Sequence, residues 1–249
     1  MATESRASQD AATMMLDTLL QRVPDLLGAV FAGPEAVADE VVRRRRTVRV
    51  AGGVFGTADL AGLEPTVVRW LTEHPEADGL GFLAAAGLLP ERDRHIQWWQ
   101  RGATGFVPMR LNLDPTCVDV YDYFEMEWYA AARDHSARAV FGPYVDYSAA
   151  DSYICTFTVP VVDGGEFLGV AGTDLRMSDL EPRLLGLLRR AGHDAVLVGA
   201  ERRVVAANTS RWLVGSRLPQ VPQAGDGVFL AAGEVGLDSG WVLGLAKPE

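Results

Sequence analysis

Two runs rich in β-branched and aromatic residues, Tyr153–Val162 and Phe167–Leu175, flank the tetrapeptide Asp163-Gly164-Gly165-Glu166. Asp-Gly and Gly-Gly supply the positive φ angles that a tight two-residue loop requires, so this segment predicts an antiparallel hairpin. Few other folds accept so sharp a reversal between two long strands. Side chains alternate along a strand, which puts Leu168, Val170, Gly172 and Asp174 on one face and Phe167, Gly169, Ala171, Thr173 and Leu175 on the other. Gly172 beside Asp174 predicts an open volume next to a carboxylate, since a glycine inside a strand often marks the approach of a ligand or of another backbone.

Around the hairpin the pattern is mixed. In the first fifty residues Met14, Met15, Leu16, Leu19, Leu20, Val23, Leu26, Leu27, Val30 and Phe31 recur at helical spacing, with Pro24 expected to kink or divide the stripe. Gly33-Pro34 predicts a break, followed by a second helix carrying Val37, Val41 and Val42 and ending in Arg43–Arg46. That cationic run has two readings, a solvated helix end or an arm that contacts DNA. The acids flanking it favour the first.

From Pro65 the sequence predicts a short helix through Leu71 and strands around Leu80–Ala85 and His95–Trp99. A helix over 119–134, the hairpin, and a helix from about Ser178 to Ala191 capped by Ser178 follow. Strands at Ala195–Val198, Arg203–Ala207 and Trp241–Ala246 complete the chain, with a loop over Pro219–Gly227. The expectation is an α+β fold: a helical N-terminal arm, 1–50, leading into one antiparallel sheet of five or more strands with helices on one side, 65–249.

Charge and motif content narrow the function. The formal net charge is −10, and residues 1–50 hold seven acids and seven arginines, so the deficit falls on the rest. Nucleic acid and acidic membrane are therefore not expected as partners. The start of the chain lacks a basic-then-apolar leader, and its longest nearly apolar run, Gly79–Pro90, is short of the roughly 20 residues that span a bilayer; both predict a cytoplasmic protein. Cys117 and Cys155 offer neither a disulfide framework nor metal-ligand spacing, and the four histidines are scattered. No phosphate-binding glycine loop or nucleophile elbow is present, and neither a metal, a cofactor nor an enzymatic activity is expected.

What stands out is the stretch 121–174. Tyr121, Tyr123, Phe124, Trp128, Tyr129, Phe141, Tyr144, Tyr147, Tyr153 and Phe157 share it with Glu125, Glu127, Asp146, Asp151 and Asp174. Aromatic faces attract a desolvated ammonium and carboxylates neutralise it, so this composition suits a small cation. The plainer reading is an aromatic core under a solvated acidic rim.

Trp128-Tyr129, Gly142-Pro143-Tyr144-Val145-Asp146 and the run Tyr153–Leu175, in that order, resemble the Cache domains, sensor modules related to PAS domains. The resemblance covers most of 65–246 and implies a PAS-like antiparallel sheet with a ligand pocket. In amino-acid-binding members an arginine two residues before the Trp-Tyr pair grips the ligand carboxylate; here that position is Met126, and a thioether cannot make a bidentate pair. The resemblance thus implies a stand-alone sensor for a small amine, with Tyr121, Trp128, Tyr129, Tyr144, Asp146 and Asp174 as ligand-binding residues. Glu125 and Glu127 would face either a second cationic end of the ligand or the solvent. The signal would leave through a separate regulator or output protein, or through a homodimer with Leu16, Leu19, Leu20 and Val23 at the contact. Two other readings are a carboxylate-dependent hydrolase and a DNA-binding regulator using the N-terminal helices.

Overall fold

The computed structural model describes residues 2–146, 152–237 and 239–248; Tyr147 and Asp151 lie outside them. Helix α1 spans Ala2–Val50, and α2 Thr57–Ala61 and α3 Glu64–Glu73 follow. Strands β1 Ala77–Ala84, β2 Ile96–Gly102 and β3 Gly105–Pro108 come next. After a 3-10 turn at Tyr123–Glu125 come α4 Glu127–His135 and β4 Ala139–Asp146. The hairpin is β5 Ser152–Asp163 and β6 Glu166–Arg176, and α5 spans Met177–Leu188. Strands β7 Asp194–Val198, β8 Val204–Ala207, β9 Phe229–Glu234 and β10 Val242–Ala246 end the described chain.

The fold class is α+β, with antiparallel sheets and a long N-terminal helix, but there are two sheets where the sequence predicts one. One runs β3-β2-β1-β6-β5-β4 and the other β8-β7-β10-β9. The division follows from α5, which starts directly after β6 and delivers the chain to a fresh set of strands. The chain clusters into two compact units, Met1–Ala29 with Phe141–Pro143 and Met177–Glu249, and Val30–Val140 with Tyr144–Arg176. The division into an arm, 1–50, and a body, 65–249, is therefore not the one the contacts draw.

The hairpin forms with Asp163 opposite Glu166, and Gly164 and Gly165 take φ values of 63° and 86°. Both prolines expected to interrupt the N-terminal helix lie inside α1. A helix-interior proline costs about 3 kcal/mol. Val23, Leu27, Val30, Phe31, Val37 and Val41 are buried on either side of them, and each such side chain contributes about 1.5–3 kcal/mol. Tertiary burial outweighs the local penalty. Gly33 marks a contact and not a break, since a Cβ there would stand 2.6 Å from the Trp70 indole of α3.

The apolar stripe of α1 is covered by the chain's own strands. In the first unit Leu16, Leu19 and Val23 are buried, and a Cβ on Gly233 of β9 would meet Leu20 at 2.8 Å and Leu16 at 3.5 Å. The four side chains expected at a dimer contact are thus engaged within one chain.

The arginine run pairs with acids, with Arg45 buried while Arg43 and Arg46 stay largely exposed. Arg43 and Arg44 bond Glu40 one turn back. Arg45 donates to Asp163 at 3.1 Å and Glu166 at 2.5 Å, and Arg46 to Asp163 at 2.9 Å. The tip of the hairpin is held by α1. Arg46 and Arg45 keep the Asp163 carboxyl below its usual titration range, against the opposing effect of burial. A carboxylate whose folded value is depressed adds stability above its unfolded value, and that stability disappears as pH falls through the folded value. Arg45→Met, which keeps the aliphatic stem, is expected to lower unfolding stability by about 1.5–3 kcal/mol at pH 7. The deficit should shrink at pH 3; urea unfolding at the two pH values checks both statements.

Candidate functional site

The site lies on one face of the six-stranded sheet, and strand register explains it. Gly79 of β1 pairs with Asp174 of β6, which pairs with Thr156 of β5; Gly81 pairs with Gly172, which pairs with Thr158. On the other side Gly81 pairs with Trp98 of β2, and Leu83 with Ile96 and Val170. Paired residues share a face, and every second residue returns to it. Three rows result: a polar row with Asp174 and Thr156, a middle row with Trp98 and Thr158, and an apolar row with Leu83 and Ile96.

The middle row is a floor made by glycines. A Cβ on Gly79 would stand 2.4 Å from the Trp98 Nε1, one on Gly81 2.6 Å from the Trp98 Cα and 2.3 Å from the Gln97 carbonyl, and one on Gly172 3.6 Å from the Trp98 Cη2. With those positions bare, the indole lies flat across β1 as far as β6. The open volume expected over Gly172 is filled from β2.

Above this floor is a cavity of about 40 Å³. Besides the three rows it is lined by Met109 and Leu111 from the segment after β3, by Tyr121, by Trp128 of α4, and by Tyr144 and Asp146 of β4. Of the six residues named from the sequence, Tyr121, Trp128, Tyr144, Asp146 and Asp174 meet here. Tyr129 does not line the cavity. One residue on from Trp128, it points about 100° around α4 and packs on Tyr123, Phe124 and Phe167 at ring centroid distances of 5.4, 5.3 and 5.7 Å. Met126 stands at the start of α4 outside the lining. Glu125 and Glu127 are exposed to solvent.

Asp174 is the electrostatic centre. Thr156 donates to its Oδ1 at 2.6 Å, and the Tyr144 hydroxyl lies 2.7 Å from the same Thr156 oxygen. A threonine has one proton, so with Asp174 ionised Thr156 accepts from Tyr144 and passes the polarisation on. Burial is the main influence on Asp174 and raises its titration point to about 7, with the Thr156 bond opposing and the charges of Asp146 and Asp78 adding to the rise. Burial, then the charge of Asp174, also pushes the Tyr121 and Tyr144 phenols up, so both remain neutral donors. Among the described residues the lining contains no lysine or arginine. In the middle row, the Trp98 Nε1 and Thr158 Oγ1 atoms are buried without a hydrogen-bond partner among the described residues, capacity that a bound molecule or water can satisfy.

Sequence reasoning missed Leu83, Ile96, Trp98, Met109, Leu111, Thr156 and Thr158. A signal for the floor exists in Gly79 and Gly81, two glycines at strand spacing that strip one face of side chains.

Residues 91–182 match the family described as methyl-accepting chemotaxis protein-like, first PDC sensor domain, and every lining residue but Leu83 falls in that stretch. The fold is similar to the sensory domain of the Campylobacter jejuni chemoreceptor Tlp3 (CcmL): TM-score 0.67 at 14% identity, over 97% of this chain and 94% of that one. It is similar to the Tlp3 ligand-binding domain in complex with L-valine, with TM-score 0.61 at 15% identity, over 87% of this chain and 77% of that one. It is also similar to methyl-accepting chemotaxis protein X, with TM-score 0.56 at 15% identity, over 95% and 98% of the two chains. No curated protein matches it in sequence. The fold is that of Cache/PDC-type sensor domains, as the resemblance in its sequence implies.

Gly81→Ala should destabilise the protein by about 1–3 kcal/mol, because its methyl group meets backbone that cannot retreat. Gly172→Ala, whose methyl would meet the Phe157 carbonyl and Thr158 Cγ2 at 3.2 Å, should cost less. Denaturant unfolding of the two variants orders them.

Proposed function

We propose that the pocket takes a small organic cation, an amine, and that the chain is a sensor passing its occupancy to an output protein or to a second copy of itself. The observation that carries this reading is the Asp174 carboxylate, partly buried in an aromatic cavity whose described lining also holds Asp146 and no cationic side chain. A buried carboxylate without a charged partner is costly. An ammonium ion supplies the missing charge, and the faces of Tyr121, Trp128 and Tyr144 add cation–π attraction.

Sensing, as opposed to catalysis, is supported by the likeness to sensor domains. L-valine is the ligand in a complex of the Tlp3 domain, which makes an α-amino acid the natural competitor. Against it stands the described lining, which offers a ligand carboxylate no arginine or lysine; Met126 is where the resemblance would put one. The DNA-binding reading has lost its basis, because Arg43–Arg46 are engaged by Glu40, Asp163 and Glu166.

Isobutylamine should raise the melting temperature more than valine, which is the same skeleton with a carboxylate added. At a hundred times its dissociation constant a ligand adds about 2.7 kcal/mol, which a thermal-shift assay resolves. The reverse order would overturn the amine reading.

Only ionised Asp174 attracts a cation. With its titration point near 7, amine affinity should rise about tenfold per pH unit below 7 and level off above it. In the empty protein the sign is opposite. A carboxyl whose folded value is raised contributes stability below its unfolded value of about 4, and loses it as pH rises through 7. Asp174→Asn should therefore abolish the amine-induced shift while leaving the empty protein at least as stable at pH 8. A variant that still binds amine would reassign the anchor.

A further inference from the structure

We infer that the ligand is an amphipathic monoamine, with one ammonium group and an apolar tail, and that diamines of equal length are excluded. The inference rests on the amine reading above and deepens it through the row structure of the sheet face.

The polar and apolar rows lie on the same strands, four residues apart, which is about 13 Å along a strand. Asp174 and Thr156 mark one end, where Tyr144 joins through its bond to Thr156. Leu83 and Ile96 mark the other, paired with each other across β1 and β2. Between them lies the Trp98 indole, whose ring crosses the bare positions Gly79 and Gly81. A ligand with its ammonium at Asp174 must therefore extend over an indole face toward Leu83 and Ile96.

That geometry discriminates by charge as well as by shape. Among the described residues the carboxylates in the lining are Asp146 and Asp174, and the charge of Asp146 is felt at Asp174. Met109 and Leu111, the remaining lining residues from the segment after β3, add apolar surface and no acceptor side chain. A second ammonium carried past Trp98 would lose its hydration beside Leu83, which is 5% exposed, and would find no carboxylate in exchange. Desolvating an unpaired cation is among the costliest events in recognition. An alkyl or aryl tail gains there what the second charge loses.

The test is calorimetric titration of the full chain at pH 8 with n-octylamine and 1,8-diaminooctane, which have the same backbone length, near the spacing of the two rows, and differ in one terminal ammonium. The monoamine should bind at least about tenfold tighter. Equal or tighter binding of the diamine overturns the inference and leaves the amine reading standing, whereas no heat from either amine removes both. Ile96→Glu, at a partly exposed strand position, places a carboxylate at the apolar end and should narrow or reverse the preference. An unchanged preference in a folded variant overturns the assignment of that end. The wild-type comparison decides the matter independently should the variant not fold.

Discussion

The register of the β5–β6 hairpin is the constraint on which the pocket depends. With Gly164 and Gly165 in the loop and Asp163 opposite Glu166, Thr156 faces Asp174 and Thr158 faces Gly172. A slip of one residue would turn all of them to the opposite face of the sheet. The loop chemistry that sets this register is local. It is reinforced from a distance, since Arg45 and Arg46 of α1 hold the two acids that flank the glycines. The strands that carry the polar row of the pocket are thus tied at their tip to the long helix, a direct mechanical route between the two.

Given that register, the energetics of the site follow from one unfavourable act, the burial of the Asp174 carboxyl. Its Thr156 bond compensates only in part, and the neighbouring charges of Asp146 and Asp78 work against ionisation. The empty pocket is therefore poised between two protonation states near neutrality. The proposed cationic ligand would resolve that competition by stabilising the charged form, which would link binding to proton release. The aromatic walls matter for the same reason, because they offer a cation attraction without offering water.

Helix α1 shows how far local punctuation can be overruled. Pro24 and Gly33-Pro34 are ordinary stop signals, yet they lie within one helix because the side chains around them reach strands and helices that bury them. Arg43–Arg46 resemble a basic terminus in sequence, and in the fold each one meets an acid: Glu40 by helical spacing, Asp163 and Glu166 by tertiary approach.

The sequence by itself determined what depends on near neighbours. Turn residues and alternation made the hairpin and the face of Asp174 legible, and the crowding of aromatic and acidic residues over 121–174 marked the region of the pocket. The ordered motifs carried the resemblance to sensor domains. Only the tertiary structure decided what depends on residues far apart in the chain. Trp98 became the floor because β2 pairs with β1 where two glycines leave room, and its ring then reaches Gly172. Tyr129 left the set that Trp128 joined because adjacent helix positions face different ways, and only packing says which way is the pocket. Two sheets formed in place of one because strand pairing is a contest among distant segments, and the periodicity of a strand does not name its partner.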